Sequence, residues 1–327
     1  MISHKLNPNL VCVHPAYIGN KYHKRKFSND LERNHPNTWK FIKHGLSLNP
    51  KRKEKKEDLW KVNIIKQNNF FDKQREILIW LGHSSFFICL NGINLLIDPI
   101  FFDLPFYPRK IENPCHPDEF KNIDYILISH NHRDHCDKKS LSILIKNNPE
   151  VVVLTGLNNR KSIPFRNKLK IQEAGWYQHF ITNKKIEIVF TPAVHWSRRN
   201  PWDKNQTLWG GFYIKTANTS IFFAGDTKFD RHFEEIRDVL GTPKISLMPI
   251  GTYEPDYVMK SSHMDPMEAY SAFDIMDSSI FIPMHYGTYD LSNEPLGDPI
   301  RKTKNIFHKN NKSHKLTELS IGETWKI

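Results

Sequence analysis

The seven residues Ser129-His130-Asn131-His132-Arg133-Asp134-His135 constrain this chain more than any other stretch. They bring three imidazoles and a carboxylate together within six positions, directly after the apolar run Ile126-Leu127-Ile128. Such a run, bounded by polar residues, predicts a buried strand, so the ligands crowd onto the turn at its carboxyl end. His130 and His132 stand two apart and Asp134 and His135 follow, so one short loop offers two pairs of ligands to two neighbouring centres. An isolated histidine is usually a surface or hydrogen-bonded core residue. Three imidazoles this close serve no packing purpose and would repel once protonated, whereas neutral imidazole nitrogen with carboxylate oxygen is the donor set that Zn²⁺ prefers. The loop therefore reads as part of a dinuclear metal site.

A chain of 327 residues with 39% hydrophobic content can build one large α/β domain or two smaller ones. Residues 1–20 hold no apolar stretch of signal-peptide length, and the longest apolar runs, such as residues 77–81, fall far short of a membrane span. Cys12, Cys89, Cys115 and Cys136 show neither Cys-x-x-Cys spacing nor a dense framework, which excludes a zinc ribbon and a disulfide scaffold. A cytoplasmic protein, at most peripheral on a membrane, is the expectation. Cys136 follows His135 and could offer a thiolate, but the nitrogen and oxygen set is already full, so a small buried filler is the preferred reading.

The net charge of +12 suggests a nucleic-acid partner until its distribution is examined. Residues 1–75 carry 17 Lys and Arg against 6 Asp and Glu, while the rest of the chain carries 30 against 29. The excess thus lies in an amino-terminal arm, and the body with the metal motif is nearly neutral, so nucleic acid is an unlikely partner. Trp39, Phe41, Trp60, Phe70 and Phe71 are interleaved with the arm's cations, a mixture that suits either an anionic membrane surface or a nucleic-acid backbone. The plainer alternative is a solvated helix start at residues 51–57 on a wrapping segment with ordinary surface charge.

Residues 1–75 read as an extension of low regularity, with one helix near residues 37–48. The folded body is expected over residues 76–327. It opens with β-type runs at 77–81, 85–90 and 93–97, the last two joined by the hairpin signal Asn91-Gly92. Further strands are expected at 125–129, 151–154, 186–191, 212–215, 220–224, 245–249 and 280–284. Asp137 is placed to cap a helix over 138–147, and 230–240 and 266–276 carry helical periodicity. Strands first, then strands alternating with helices, predict a layered α/β sandwich. His195, Asp226 and His285 each lie just beyond one of these runs, so ligands on strand ends can converge at one sheet edge.

The order His-x-His-x-Asp-His, then His195, then Asp226 in Gly225-Asp226-Thr227, then His285, resembles the dizinc signature of the metallo-β-lactamase superfamily. Further segments are similar to the branch of N-acyl-phosphatidylethanolamine-hydrolysing phospholipases D. They include Trp80-Leu81-Gly82-His83-Ser84, Asp98-Pro99-Ile100, Thr191-Pro192-Ala193-Val194-His195-Trp196 and Leu208-Trp209-Gly210. Pro249-Ile250-Gly251-Thr252-Tyr253-Glu254-Pro255, His263-Met264-Asp265-Pro266 and His285-Tyr286-Gly287-Thr288 continue the likeness, which covers about residues 76–325.

That resemblance implies an αββα sandwich and two Zn²⁺ ions. His130, His132 and His195 would hold one ion, Asp134, His135 and His285 the other, and the Asp226 carboxylate would bridge them. It places His263 beside the site without ligating, as a donor to the substrate or a proton carrier. Tyr253 and Glu254 are expected to shape the substrate mouth, and His83 to stand no closer than behind the ligands. The implied activity is a phosphodiesterase. A hydroxide bridging the zincs would attack phosphorus and split an N-acyl-phosphatidylethanolamine into phosphatidic acid and an N-acylethanolamine. The arm would rest on an anionic membrane, and a homodimer is compatible with the reading. Rival readings keep the metals and change the substrate, to a lactone or to RNA, or make the chain a non-enzymatic membrane or nucleic-acid binding module. Structural zinc sites are usually closed by four protein ligands, so a seven-ligand set argues against the last.

Overall fold

The hairpin Asn91-Gly92 shows how locally this chain is instructed: Asn91 (φ 50°) and Gly92 (φ 77°) take the left-handed conformations of a two-residue turn between Ser85–Leu90 and Ile93–Ile97. In the computed structural model, which describes residues 2–29, 49–66 and 76–327, these strands belong to a seven-stranded sheet. Its order is Lys170–Ala174, Val152–Gly156, Tyr125–Ile128, Ile93–Ile97, Ser85–Leu90, Ile77–Gly82, Thr324–Lys326. A second seven-stranded sheet runs Ile280–Met284, Ile245–Pro249, Ser220–Phe223, Gly211–Lys215, Glu187–Thr191, Gln178–His179, Val11–Cys12.

Alternation along the strands of the first sheet builds two cores from the period of two that every strand imposes. Leu78, Trp80, Phe86, Ile88, Leu95, Ile97 and Leu127 face the core shared with the second sheet. Ile77, Ile79, Leu81, Phe87, Leu96, Ile126 and Ile128 form a separate core that includes Leu141, Leu144 and Ile145 of helix Lys138–Asn147. Asp137 caps that helix by accepting from the Lys139 and Ser140 amides, as its position in the sequence predicts. Helices Pro266–Met276 and Asp298–Lys309 cover the second sheet, completing the αββα sandwich.

The parallel pairs fix where the strands end. Ile221 pairs with Ile245 and Ile245 with Ile280, so the loops that follow Phe223, Pro249 and Met284 leave from one edge. On the other sheet Leu95 pairs with Tyr125, bringing the loops after Ile97 and Ile128 to the same kind of edge. Among the described residues no helix is long and apolar enough to cross a membrane.

The described parts of the amino-terminal arm are more regular than their polarity suggests. Ser3–Lys5, Asn20–His23 and Lys26–Phe27 form a three-stranded sheet, and Val11–Cys12 extends the second sandwich sheet beside Gln178–His179. Gln178 binds this segment through its side chain, accepting from Asn7 N at 2.7 Å and donating to Asn7 O and Leu10 O at 2.8 Å. Helix Arg52–Glu57 buries none of its residues, but Lys51 pairs with Glu254 at 2.5 Å, Lys55 with Asp290, and Asp58 with Arg301. The helix expected near residues 37–48 lies outside the described residues.

Candidate metal centre

Two side-chain groups converge at the shared edge. The ligand atoms of His130, His132, His195 and Asp226 all lie within 4.8 Å of one another, as do those of His83, Asp134, His135 and His285. His130 and His132 come from the loop after Tyr125–Ile128, and His195, Asp226 and His285 from the loops after Glu187–Thr191, Ser220–Phe223 and Ile280–Met284. Asp226 is delivered by Gly225 (φ 65°), where a Cβ would stand 2.5 Å from the Gly210 carbonyl, so no other residue fits.

The two groups meet at one atom. Asp226 Oδ2 lies 3.9 and 3.7 Å from His130 and His195 Nε2, and 3.2 and 3.1 Å from His135 and His285 Nε2. His130 Nε2 and His195 Nε2 are 2.9 and 3.2 Å from His132 Nδ1. A single N–H on His132 Nδ1 can satisfy only one of these two nitrogens, whereas a cation among the three satisfies all of them. Zinc–nitrogen bonds of roughly 2.0–2.1 Å in a tetrahedron put the nitrogens about 3.3 Å apart, close to the spacing found. The buried Nε2 atoms of His135 and His285, the ring atoms that face Asp226, have no hydrogen-bond partner in the protein, which is costly unless they ligate. The residues fit a metal.

Hydrogen bonds behind the donors aim the rings. His135 Nδ1 donates to Asp98 Oδ2 at 2.8 Å and His195 Nδ1 to the Ser262 carbonyl at 2.9 Å, which leaves each Nε2 its lone pair. Ser129 Oγ donates to Asp98 at 2.5 Å and sits 2.9 Å from His130 Nδ1, so the same carboxylate orients a donor of the other group. His285, at φ 62°, has Nδ1 3.3 Å from Thr252 Oγ1. Burial opposes charge at every imidazole here. It drives His130 and His195 well below the usual histidine range and His132 down to about 4. At His285 burial is outweighed by Asp226 and Asp134, which raise it to about 9. Those carboxylates lie far below their usual range despite burial, mainly through His135.

His83 Nε2 stands 3.1 Å from Asp134 Oδ2 and His83 N donates to Thr288 Oγ1, so this ring braces Asp134. His263 lies with its ring 5.1 Å from His195 and 5.5 Å from His285, and its buried Nδ1 has no partner. Burial pushes the Cys136 thiol up to about 11, and its Sγ is 4.0 Å from the Ser162 carbonyl, consistent with a filler. Tyr253 and Glu254 require a correction, because neither lines the cavity above the donors. Glu294 accepts the Thr252, Tyr253 and Glu254 amides, the Tyr253 hydroxyl donates to Asp298, and Glu254 pairs with Lys51, so both side chains are committed elsewhere.

That cavity, of about 420 Å³, is lined by His132, Asp134, Asp226, His263 and His285 at its floor. Its lining also includes the cations Arg133, Arg198 and Arg199 and the apolar Leu104, Val258, Met259 and Leu291. Sequence reasoning missed the arginines, which sit on loops without periodicity, and it missed the orienting role of Asp98. The run Asp98-Pro99-Ile100 held the only signal, a lone acid directly after a strand.

Comparison with known proteins narrows the class. The family described as Beta-lactamase superfamily domain matches residues 93–286, a span that contains all seven donors from His130 to His285. N-acyl-phosphatidylethanolamine-hydrolyzing phospholipase D 1 of Caenorhabditis elegans is 28% identical over 81% of this chain and 80% of its own length. The mitochondrial N-acyl-phosphatidylethanolamine-hydrolyzing phospholipase D of Saccharomyces cerevisiae is 33% identical over 68% of this chain, which spans half of that relative. A metallo hydrolase from Ignicoccus hospitalis superposes with TM-score 0.59 at 24% identity, covering 77% of this chain and 98% of that structure, a likeness of fold. The chain belongs to the beta-lactamase superfamily, as a metal-dependent hydrolase.

Proposed function

We propose that this hydrolase is a dizinc phosphodiesterase cleaving phospholipids of the N-acyl-phosphatidylethanolamine type into phosphatidic acid and N-acylethanolamine. The observation that carries the reading is Asp226 Oδ2, within 3.9 Å of imidazole nitrogens from both donor groups, in a cavity lined by both arginines and apolar side chains. A diester headgroup with acyl chains has matching halves, and the two phospholipase D relatives give the substrate class.

His130, His132 and His195 would hold one ion, Asp134, His135 and His285 the other, with Asp226 between. When bound, the pair supplies Lewis-acid polarisation of phosphoryl oxygens and a nucleophile at neutral pH. The protein's own groups do the rest. Arg133 and Arg198 draw the phosphodiester to the donors, Asp98 and Ser129 keep His135 and His130 aimed, and the apolar side chains exclude water from the acyl side. Hydrolysis adds water across one P–O bond, and the proton that the departing N-acylethanolamine oxygen needs is carried by His263, whose Nδ1 is unpartnered beside the donors.

The test is turnover by purified protein of N-acyl-phosphatidylethanolamine, a plain phosphodiester, an RNA hairpin and a lactone, with elemental analysis of bound metal. Two zincs per chain and chelator-sensitive release of N-acylethanolamine are expected. Cleavage of RNA or lactone in preference to the phospholipid would overturn the substrate, and one metal per fully active chain would overturn the dinuclear reading.

A further inference from the structure

We infer that the rim of the metal-site cavity is a membrane-docking surface, in which the exposed aromatics Phe106 and Trp202 of two loops and Tyr257 of the short helix Asp256–Met259 enter an anionic phospholipid surface. The inference rests on the phospholipid reading and adds where and how the lipid is met.

Phe106 is 97% exposed, Trp202 76% and Tyr257 49%. Each belongs to a segment whose nearby residues line the cavity: Leu104 and Tyr107 in one loop, Arg198 and Arg199 in another, Val258 and Met259 in helix Asp256–Met259. Three stretches distant in sequence thus turn one side toward the same opening and lift a large aromatic beside it. Soluble surfaces avoid clustering such groups unless something covers them. The first loop is built for presentation: Leu104 and Tyr107 exchange backbone hydrogen bonds of 3.1 and 3.0 Å, and Phe106 at the tip takes φ 68°. A bulky residue is strained in that region, and here it gains no burial in return. The second loop is held from below by Asp203, whose carboxylate accepts the Arg199 and Asn200 amides at 2.8 and 2.9 Å.

Charge selects the partner. Arg133 and Arg198 are exposed and line the opening, and Arg198 and Lys204 stand 5.1 and 5.7 Å over the Trp196 ring. Aromatics with cations beside them match the interface of an anionic bilayer, where rings lie at headgroup level and cations meet phosphate. A second copy of the chain on this rim would cover the cavity mouth, whereas a bilayer delivers its substrate there. The amino-terminal arm is less available for that contact than its charge suggests, since Lys51 and Lys55 already pair with Glu254 and Asp290.

Co-sedimentation of the full chain with phosphatidylcholine vesicles, with and without phosphatidylglycerol, tests the inference without reading catalysis. The wild type should bind the anionic vesicles and release them at high salt. The triple variant Phe106→Ser, Trp202→Ser, Tyr257→Ser should lose on the order of a hundredfold in partitioning, with unchanged turnover of a short-chain soluble diester as evidence of folding. Brominated lipid should quench the wild type more than Trp202→Phe. Undiminished partitioning of the triple variant, or equal quenching, overturns the inference. A triple variant that changes from dimer to monomer in solution with vesicle binding intact assigns the rim to a second copy. Vesicle binding through these aromatics with no N-acyl-phosphatidylethanolamine hydrolysis would remove the substrate reading alone.

Discussion

His130, His195, Asp226 and His285 are buried just beyond strands whose last residues are all buried, whereas Arg133, between two donors, and Arg198, on the loop beyond His195, carry exposed side chains at the same cavity. The strand edge cannot yield without disturbing the sandwich core, so its donors stay pre-aimed, which suits the reacting centre. The exposed side chains can vary without touching that core, which suits selection of what enters. The difference teaches that chemistry and access are encoded in separate parts of one cavity, and substitutions should separate them.

The largest effect is expected at the edge. Asp226→Asn removes the charge between the two donor groups and should lower turnover by roughly a thousandfold or more, with loss of bound metal by elemental analysis and little change in circular dichroism. Near-normal turnover would break the bridging role. Asp98→Asn leaves every donor in place but weakens the hold on His135 and, through Ser129, on His130, so metal affinity should fall roughly 10–100-fold, measured against a chromophoric chelator. Unchanged affinity would mean that packing alone aims those rings. On the access side, Arg133→Gln with Arg198→Gln should raise KM about tenfold and leave kcat within about twofold. A fall in kcat at constant KM would place these arginines at the reacting centre and erase the distinction.

The smallest effect lies far from the cavity. Asp58 is held below the usual carboxylate range because its bonds to Arg301 and the Gly297 amide outweigh the cost of its partial burial. A depressed folded-state value contributes stability above the ordinary carboxylate range and loses it as pH falls through the folded value. Partly exposed pairs are screened, so Asp58→Asn should cost only about 1 kcal/mol near neutrality. Urea titrations should show the gap between wild type and variant closing below about pH 4. A gap independent of pH would mean that shape, not charge, matters at this position.

Strand-end donors were legible because a buried strand announces itself by composition and a ligand cluster by spacing, and both signals are local. Ser85–Leu90, Ile93–Ile97, Ile245–Pro249, Ile280–Met284 and helix Pro266–Met276 fall where periodicity puts them. Helix Asp298–Lys309 escaped, although its buried Ile300, Thr303, Ile306 and Phe307 keep helical spacing, because cations between them masked the stripe. Lys170–Ala174 is a partly exposed edge strand with little apolar signal. Tyr253 and Glu254 were misplaced because their partners, Asp298 and Lys51, are remote in sequence, and only the fold brings them near. The rim aromatics carry no period at all.

Strand Val11–Cys12 has one further implication. Its neighbour Gln178–His179 leaves the ribosome more than 160 residues later, so during synthesis Val11–Cys12 waits with its backbone unpaired for a strand not yet made. Backbone groups exposed there can recruit strands from other nascent chains. Closing so long a loop is slow, and the side chain of Gln178, which grips Asn7 and Leu10, is the latch that ends the wait. Yield of soluble protein on expression should therefore respond to Gln178 more sharply than a position remote from the metal would suggest.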